Sequence, residues 1–267
     1  MNYKTANRSI LLERYDAFIF DLDGVIWKGP EIIPGALEAV NILRNARKKI
    51  LFVTNNASES RAYQHKKLLN MGIPCELNEF LSAGFGTASY LGKNFPGASA
   101  YVMGTDHLTQ EIEEAGLRIS NTDADLVVVG FDRDFSYKKL DIAFNNLYRK
   151  KCLFVACNQN PIYPAPDGFH PGVGPSVAAL SYAIGREPDL VIGKPNLPLL
   201  EMSLSLLNTT SEKTAIFGDI LDMDILWGKQ KNLGTIYVLS GVGVIEDIEK
   251  LNIEPDFIAN SVIDALN

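Results

Sequence analysis

The sequence predicts an α/β protein built around parallel β-sheet. Short apolar runs alternate with amphipathic stretches of helical length, the pattern of strand and crossover helix. The runs are continuous rather than alternating, which suits strands covered on both faces. Three of them end in small polar or acidic residues, where open α/β sheets bind ligands.

The predicted strands are residues 17–20, 50–53, 100–103, 126–129, 153–156, 190–192, 215–217 and 235–239. Predicted helices cover 35–46, 61–71, 108–115 and 137–150, each with apolar residues recurring at helical spacing. Glycine and proline cluster over 161–175, which reads as a long loop and therefore as a candidate for function. No repeat or low-complexity tract interrupts the pattern.

Composition narrows the function classes. The chain has 267 residues, 46% of them hydrophobic, enough for one large domain or a core with an insert. A formal net charge of -7 disfavours nucleic-acid backbones as partners. The densest basic cluster, residues 44–49, reads as a solvated helix end. No segment is apolar for long enough to cross a bilayer, and residues 1–14 lack the apolar stretch of a signal peptide. A cytoplasmic location is expected. Cys75, Cys152 and Cys157 form no metal-ligand spacing and no even disulfide set, so they read as buried free thiols.

The chemistry gathers at strand ends. Residues 17–20 run into Asp21-Leu-Asp23-Gly24, residues 50–53 into Thr54-Asn55-Asn56, and residues 215–217 into Gly218-Asp219 followed by Asp222 and Asp224. Residues two apart in extended chain point the same way, so Asp21 and Asp23 share a face. Clustered carboxylates repel and raise one another's pKa values. A hard cation relieves that repulsion, and all-oxygen ligand sets suit magnesium. A single Asp after a strand is ordinarily a helix cap or turn residue; three such strand ends in one chain are poorly explained that way.

Lys194 adds a cation, in Ile192-Gly193-Lys194-Pro195-Asn196 after a strand-like run. A nucleotide P-loop does not fit, because proline follows Lys194 and Pro188 stands where the first glycine belongs. Between glycine and proline, Lys194 reads as a point charge aimed at a phosphate.

Together these residues resemble a known family. Asp21-Leu-Asp-Gly, Thr54-Asn-Asn, Lys194 and Gly218-Asp219 with Asp224 resemble, in order and spacing, the four motifs of the haloacid dehalogenase superfamily. The resemblance is to its nitrophenylphosphatase/NagD-like branch and covers nearly the whole chain. It implies a Rossmann-like parallel sheet core with an inserted α/β cap. The core would comprise residues 1–83 and 186–267, and the cap 84–185. It also implies a magnesium-dependent phosphatase acting on a small phosphate monoester, and, since relatives often dimerise, a homodimer. Phosphoglycolate, sugar phosphates, nucleotides and pyridoxal phosphate are all compatible substrates.

The implied roles follow position by position. Asp21 attacks phosphorus and carries an aspartyl-phosphate; Asp23 protonates the leaving oxygen and then activates water. Thr54, Asn55 and Asn56 bind the phosphoryl oxygens, and Lys194 stabilises the transferring group. Asp21, the main-chain carbonyl of Asp23 and Asp219 hold Mg2+, with Asp224 orienting them. The presence of Asp23 points away from dehalogenases, which lack this second acid.

Three positions depart from the family pattern: Ile220 and Met223, where polar residues are usual, and Asn158-Gln159-Asn160, where Asn-Pro-Asp is frequent. The first two are expected to alter support for the metal, and the third to remove a negative charge near the leaving group. Asn158, Asn160 and the 161–175 loop are expected to contact substrate. Trp27 reads as a core residue that could line the entrance, and His65 as solvated. Gly-x-Gly at Gly84 and Gly86, and at Gly241 and Gly243, is too common to carry a reading. The alternative function is a non-catalytic phosphate-ligand binder with the same fold. The intact set of Asp21, Asp23, Lys194 and Asp219 weighs against it.

Overall fold

The computed structural model describes residues 5–149, 152–165 and 167–267. Lys150, at the end of one predicted helix, lies outside them, as does Pro166 in the predicted loop. The chain groups into two compact units. The first comprises 1–54, 65–81 and 200–267, the second 55–64 and 82–199.

The first unit contains a six-stranded sheet. Its spatial order is Phe257–Ala259, Gly234–Val238, Thr214–Gly218, Ala17–Phe20, Lys49–Thr54 and Phe80–Ser82, and the pairings among the first five are parallel. The Ala17–Phe20 strand is buried throughout and sits between Thr214–Gly218 and Lys49–Thr54. Strand order reverses there, so the crevice beyond Phe20 is the switch point of the sheet.

Aromatic packing holds the three central strands in register. Phe20 pairs in register with Phe52 and Phe217. Its ring stacks on Phe217 at 4.9 Å between centroids and on Phe52 at 5.7 Å. Phe18 stacks on Phe217 at 6.0 Å. All four rings are fully buried; each contributes roughly 1.5–3 kcal/mol through burial alone.

The second unit contains a five-stranded parallel sheet, in the order Leu190–Val191, Leu153–Ala156, Leu126–Val129, Ser99–Met103 and Arg118–Ile119. Helices Tyr137–Arg149 and Gly174–Ile184 contribute Ala143, Leu147, Val177 and Leu180 to its core.

Several local expectations are corrected. The 161–175 segment is an antiparallel hairpin, Ile162–Ala165 against Gly168–Pro171, followed by a helix with proline in its first turn. Both strands are edges, so Pro164 and Pro171 take part without a central ladder losing a donor. Gly84 and Gly86 lie buried inside the helix Ala83–Asn94. The basic cluster at 44–49 is not simply solvated: Arg44 donates to both carboxylate oxygens of Glu79, at 2.8 and 2.6 Å. His65 is half-buried, with Nε2 2.6 Å from the Cys75 carbonyl.

The three cysteines are free and buried. Burial pushes the Cys157 thiol up to about 12, which keeps it protonated and unreactive.

Phe20→Ala is expected to cost about 3–5 kcal/mol of unfolding free energy, read by equilibrium urea denaturation. A loss below about 1 kcal/mol would mean that the ring stack does not organise this sheet.

Candidate active site

In the first unit, three adjacent parallel strands deliver their C-terminal residues side by side. Asp21 follows Ala17–Phe20, and its N–H continues the ladder to the Phe217 carbonyl at 3.0 Å. Thr54 closes the Lys49–Thr54 strand and is buried. Asp219 follows Thr214–Gly218 and is 1% exposed. The chain then makes a π-helical turn, Leu221–Ile225, which carries fully buried Asp224. Such turns recur at functional sites.

One carboxylate oxygen from each of Asp21, Asp219 and Asp224 lies within 4.8 Å of the others. These are hard oxygen donors in a buried place, the donor chemistry that suits a small divalent cation. Asp224, expected only to orient the others, thus offers an oxygen of its own to the same cluster. Ile220 supports it through the main chain, its N–H donating to Asp224 Oδ2 at 3.2 Å. That contact does not depend on the side chain at 220, so the departure from a polar residue leaves it intact.

Asp219 is held by close backbone packing. Val242 N–H donates to its Oδ2 at 2.9 Å. Gly24 and Gly241 approach so closely that a Cβ on either would overlap the same carboxylate. Gly24 also has φ +83°, a conformation that side chains disfavour, and its carbonyl accepts from Ser240 Oγ at 2.7 Å. Gly241 and Val242 were missed by sequence reasoning. The available signal was a Gly-x-Gly directly after the 235–239 apolar run.

Asp23 is only partly buried and stands apart from the cluster. Its Oδ1 accepts from the indole Nε1 of Trp27 at 2.8 Å. Lys67 Nζ lies 4.0 Å from the centre of the Trp27 ring. Burial lowers the pKa of Lys67, and the charge of Asp23 acts in the opposite sense.

In the second unit, Asn55, Asn158, Asn160 and Lys194 form one network. The Asn55 carboxamide donates to the Lys194 carbonyl and to Asn160 Oδ1, both at 2.9 Å, while its Oδ1 accepts from Lys194 N–H at 2.8 Å. Asn158 donates to the Asn55 carbonyl at 2.8 Å and accepts from Asn160 N–H at 3.0 Å. Lys194 is 2% exposed. Both amide hydrogens of Asn55 therefore have acceptors within this network, and an Asp at 160 would supply the same acceptor. Asn56 closes a local turn, its Oδ1 accepting from Ser58 N–H at 2.8 Å and Oγ at 2.7 Å.

A parallel sheet with carboxylates gathered at its switch point is the architecture of an α/β enzyme. A profile of the haloacid dehalogenase-like hydrolases matches residues 18–118, and a HAD hydrolase-like profile matches residues 191–265. The chain is 34% identical over 247 residues to an acid sugar phosphatase of Staphylococcus epidermidis, covering 92% of this chain and 95% of that one. Among solved structures, the p-nitrophenyl phosphatase from Archaeoglobus fulgidus superposes with a TM-score of 0.91 at 34% identity, covering 95% of this chain and 98% of that chain. NagD from E. coli K-12 superposes with a TM-score of 0.86 at 30% identity, covering 93% and 97% respectively. The chain belongs to the haloacid dehalogenase-like hydrolases, on their nitrophenylphosphatase/NagD-like branch. It is an enzyme of their phosphatase kind.

Gly24→Ala and Gly241→Ala are each expected to lower unfolding free energy by about 2 kcal/mol, measured by urea denaturation. A loss below about 0.5 kcal/mol would show that the Asp219 carboxylate is not wedged between them.

Proposed function

We propose that this enzyme is a magnesium-dependent phosphatase that hydrolyses a small phosphate monoester through an aspartyl-phosphate on Asp21. The observation that carries this reading is the buried cluster of Asp21, Asp219 and Asp224 beside a separately held Asp23. Substrates in the reading are of the sugar phosphate, phosphoglycolate, nucleotide or pyridoxal phosphate class.

The steps use two carboxylates. An Asp21 oxygen attacks phosphorus; a new O–P bond forms as the bond to the ester oxygen breaks. Asp23, protonated, gives its proton to the departing alkoxide. Ionised Asp23 then takes a proton from water, which attacks the same phosphorus; the bond to Asp21 breaks, phosphate leaves and the free carboxylate returns. Thr54, Asn55 and Asn56 donate to the phosphoryl oxygens, Asn55 through its main chain because its carboxamide hydrogens have acceptors. Lys194 supplies positive charge to the transferring group. Asn158 and Asn160 act at one remove, by fixing Asn55 and the Lys194 backbone.

Asp21, Asp219, Asp224 and the main-chain carbonyl of Asp23 are the groups that would hold Mg2+. When bound, the ion neutralises carboxylate and phosphate charge and polarises the phosphoryl oxygens. In the same reading, residues 1–83 and 186–267 form the hydrolase core and 84–185 the cap that selects substrate. Two units of this chain fold around separate sheets, which supports a two-part chain, although 55–64, 82–83 and 186–199 group with the second unit rather than with the core of this reading.

Asp21→Asn is expected to abolish phosphate release from p-nitrophenyl phosphate while the circular-dichroism spectrum is unchanged; retained turnover would refute the nucleophile assignment. Removing divalent ions with EDTA should stop turnover, and added magnesium should restore it. Full activity in EDTA after exhaustive dialysis would rule out the metal.

A further inference from the structure

We propose that Trp27 is a positioning residue for the reaction, whose indole N–H holds Asp23 in the orientation from which it transfers its proton. This rests on the phosphatase reading above. Trp27 is 2% exposed, so its side chain reads at first as core. A buried indole needs a hydrogen-bond acceptor, and it can only donate. Here the acceptor is Oδ1 of Asp23, at 2.8 Å. The bond fixes one oxygen of Asp23 while the other is left for the proton, and it strengthens once Asp23 has given that proton up and is ionised.

The backbone makes this pairing stiff. The Leu22 carbonyl accepts from the N–H groups of Val25, Ile26 and Trp27, at 3.2, 2.8 and 3.1 Å. Gly24 N–H donates back to the Trp27 carbonyl at 2.7 Å. Trp27 then enters a short antiparallel ribbon, pairing with Ile32. The indole is also gripped on its face. Lys67 Nζ lies 4.0 Å from the ring centre and donates to the Gly29 carbonyl at 3.1 Å, so the cation is itself tied to the ribbon. Ring edge and ring face are both engaged, and Asp23 is the group at the edge.

Asp23 is the only acid of the site for which a wrong rotamer would leave the carboxylate cluster untouched while stopping proton transfer. Loss of the indole N–H should therefore act on the step that needs a proton. Esters with a poor leaving group need it; nitrophenolate departs without it. Trp27→Phe keeps an aromatic ring over Lys67 and removes the donor.

The experiment measures kcat/KM for p-nitrophenyl phosphate and for phenyl phosphate on the same preparation. The ratio of the two is independent of how much of the variant is folded. In Trp27→Phe the ratio is expected to rise about tenfold or more, because phenyl phosphate loses general-acid assistance. Lys67→Met loosens the indole without emptying its site and should shift the ratio the same way, by about two- to fivefold. An unchanged ratio in Lys67→Met together with an unchanged ratio, or no folded protein, in Trp27→Phe overturns the inference. The Asp21→Asn control separates the two levels. If turnover of both esters survives in it, the aspartyl-phosphate reading on Asp21 falls and this inference with it. If Asp21 is required and the ratios do not move, only the role of Trp27 is lost.

Discussion

Charge repulsion among buried carboxylates is the constraint on which the rest of this structure depends. Asp21, Asp219 and Asp224 place oxygens within 4.8 Å of one another. Two ionised groups at that distance repel by about 3–4 kcal/mol at an effective dielectric near 20. No strand would tolerate this at its tip without rigid backing. The backing is the Phe18, Phe20, Phe52 and Phe217 stack, which locks the three central strands in register directly below the acids. Above them, Val242 N–H and the bare Cα atoms of Gly24 and Gly241 leave Asp219 one place to be. Core packing and site geometry are therefore one arrangement. The hydrophobic term stabilises a sheet whose ends carry an electrostatic cost, and a bound cation would relieve that cost.

Asp23 obeys a different rule. It has the same chemistry as its neighbours but a more open place and a neutral donor, Trp27, as its partner. Two carboxylates two residues apart thus receive two environments, which in the proposed reaction is what lets one motif supply both a nucleophile and a proton carrier.

Much of this was legible in the residues. Continuous apolar runs located the central strands because burial on both faces leaves no polar alternation. The acids were visible because Asp21 and Asp219 stand at the ends of such runs and Asp23 and Asp224 follow within a few residues. Part of what escaped has its meaning in a partner distant in the chain. Gly241 is an ordinary glycine until Asp219 is placed against it. The Asn55 carboxamide looks available to a phosphate until Lys194, 139 residues away, is placed against it; the main chain of Asn55 keeps its proposed role. Short edge strands such as Phe257–Ala259 contain too few residues for periodicity to register. The Ile162–Ala165 and Gly168–Pro171 hairpin was hidden by its prolines, which two edge strands accept and a central strand would not.

The placement of tryptophan also makes the molecule its own optical instrument. The chain has two tryptophans. One donates to Asp23, and the other, Trp227, lies fully buried in the short helix Leu226–Lys229 that continues the turn bearing Asp224. Each indole is thus wired to a different acid-bearing segment of the same sheet edge. Intrinsic emission excited at the indole band reads both segments at once, and replacing either ring isolates the signal of the other.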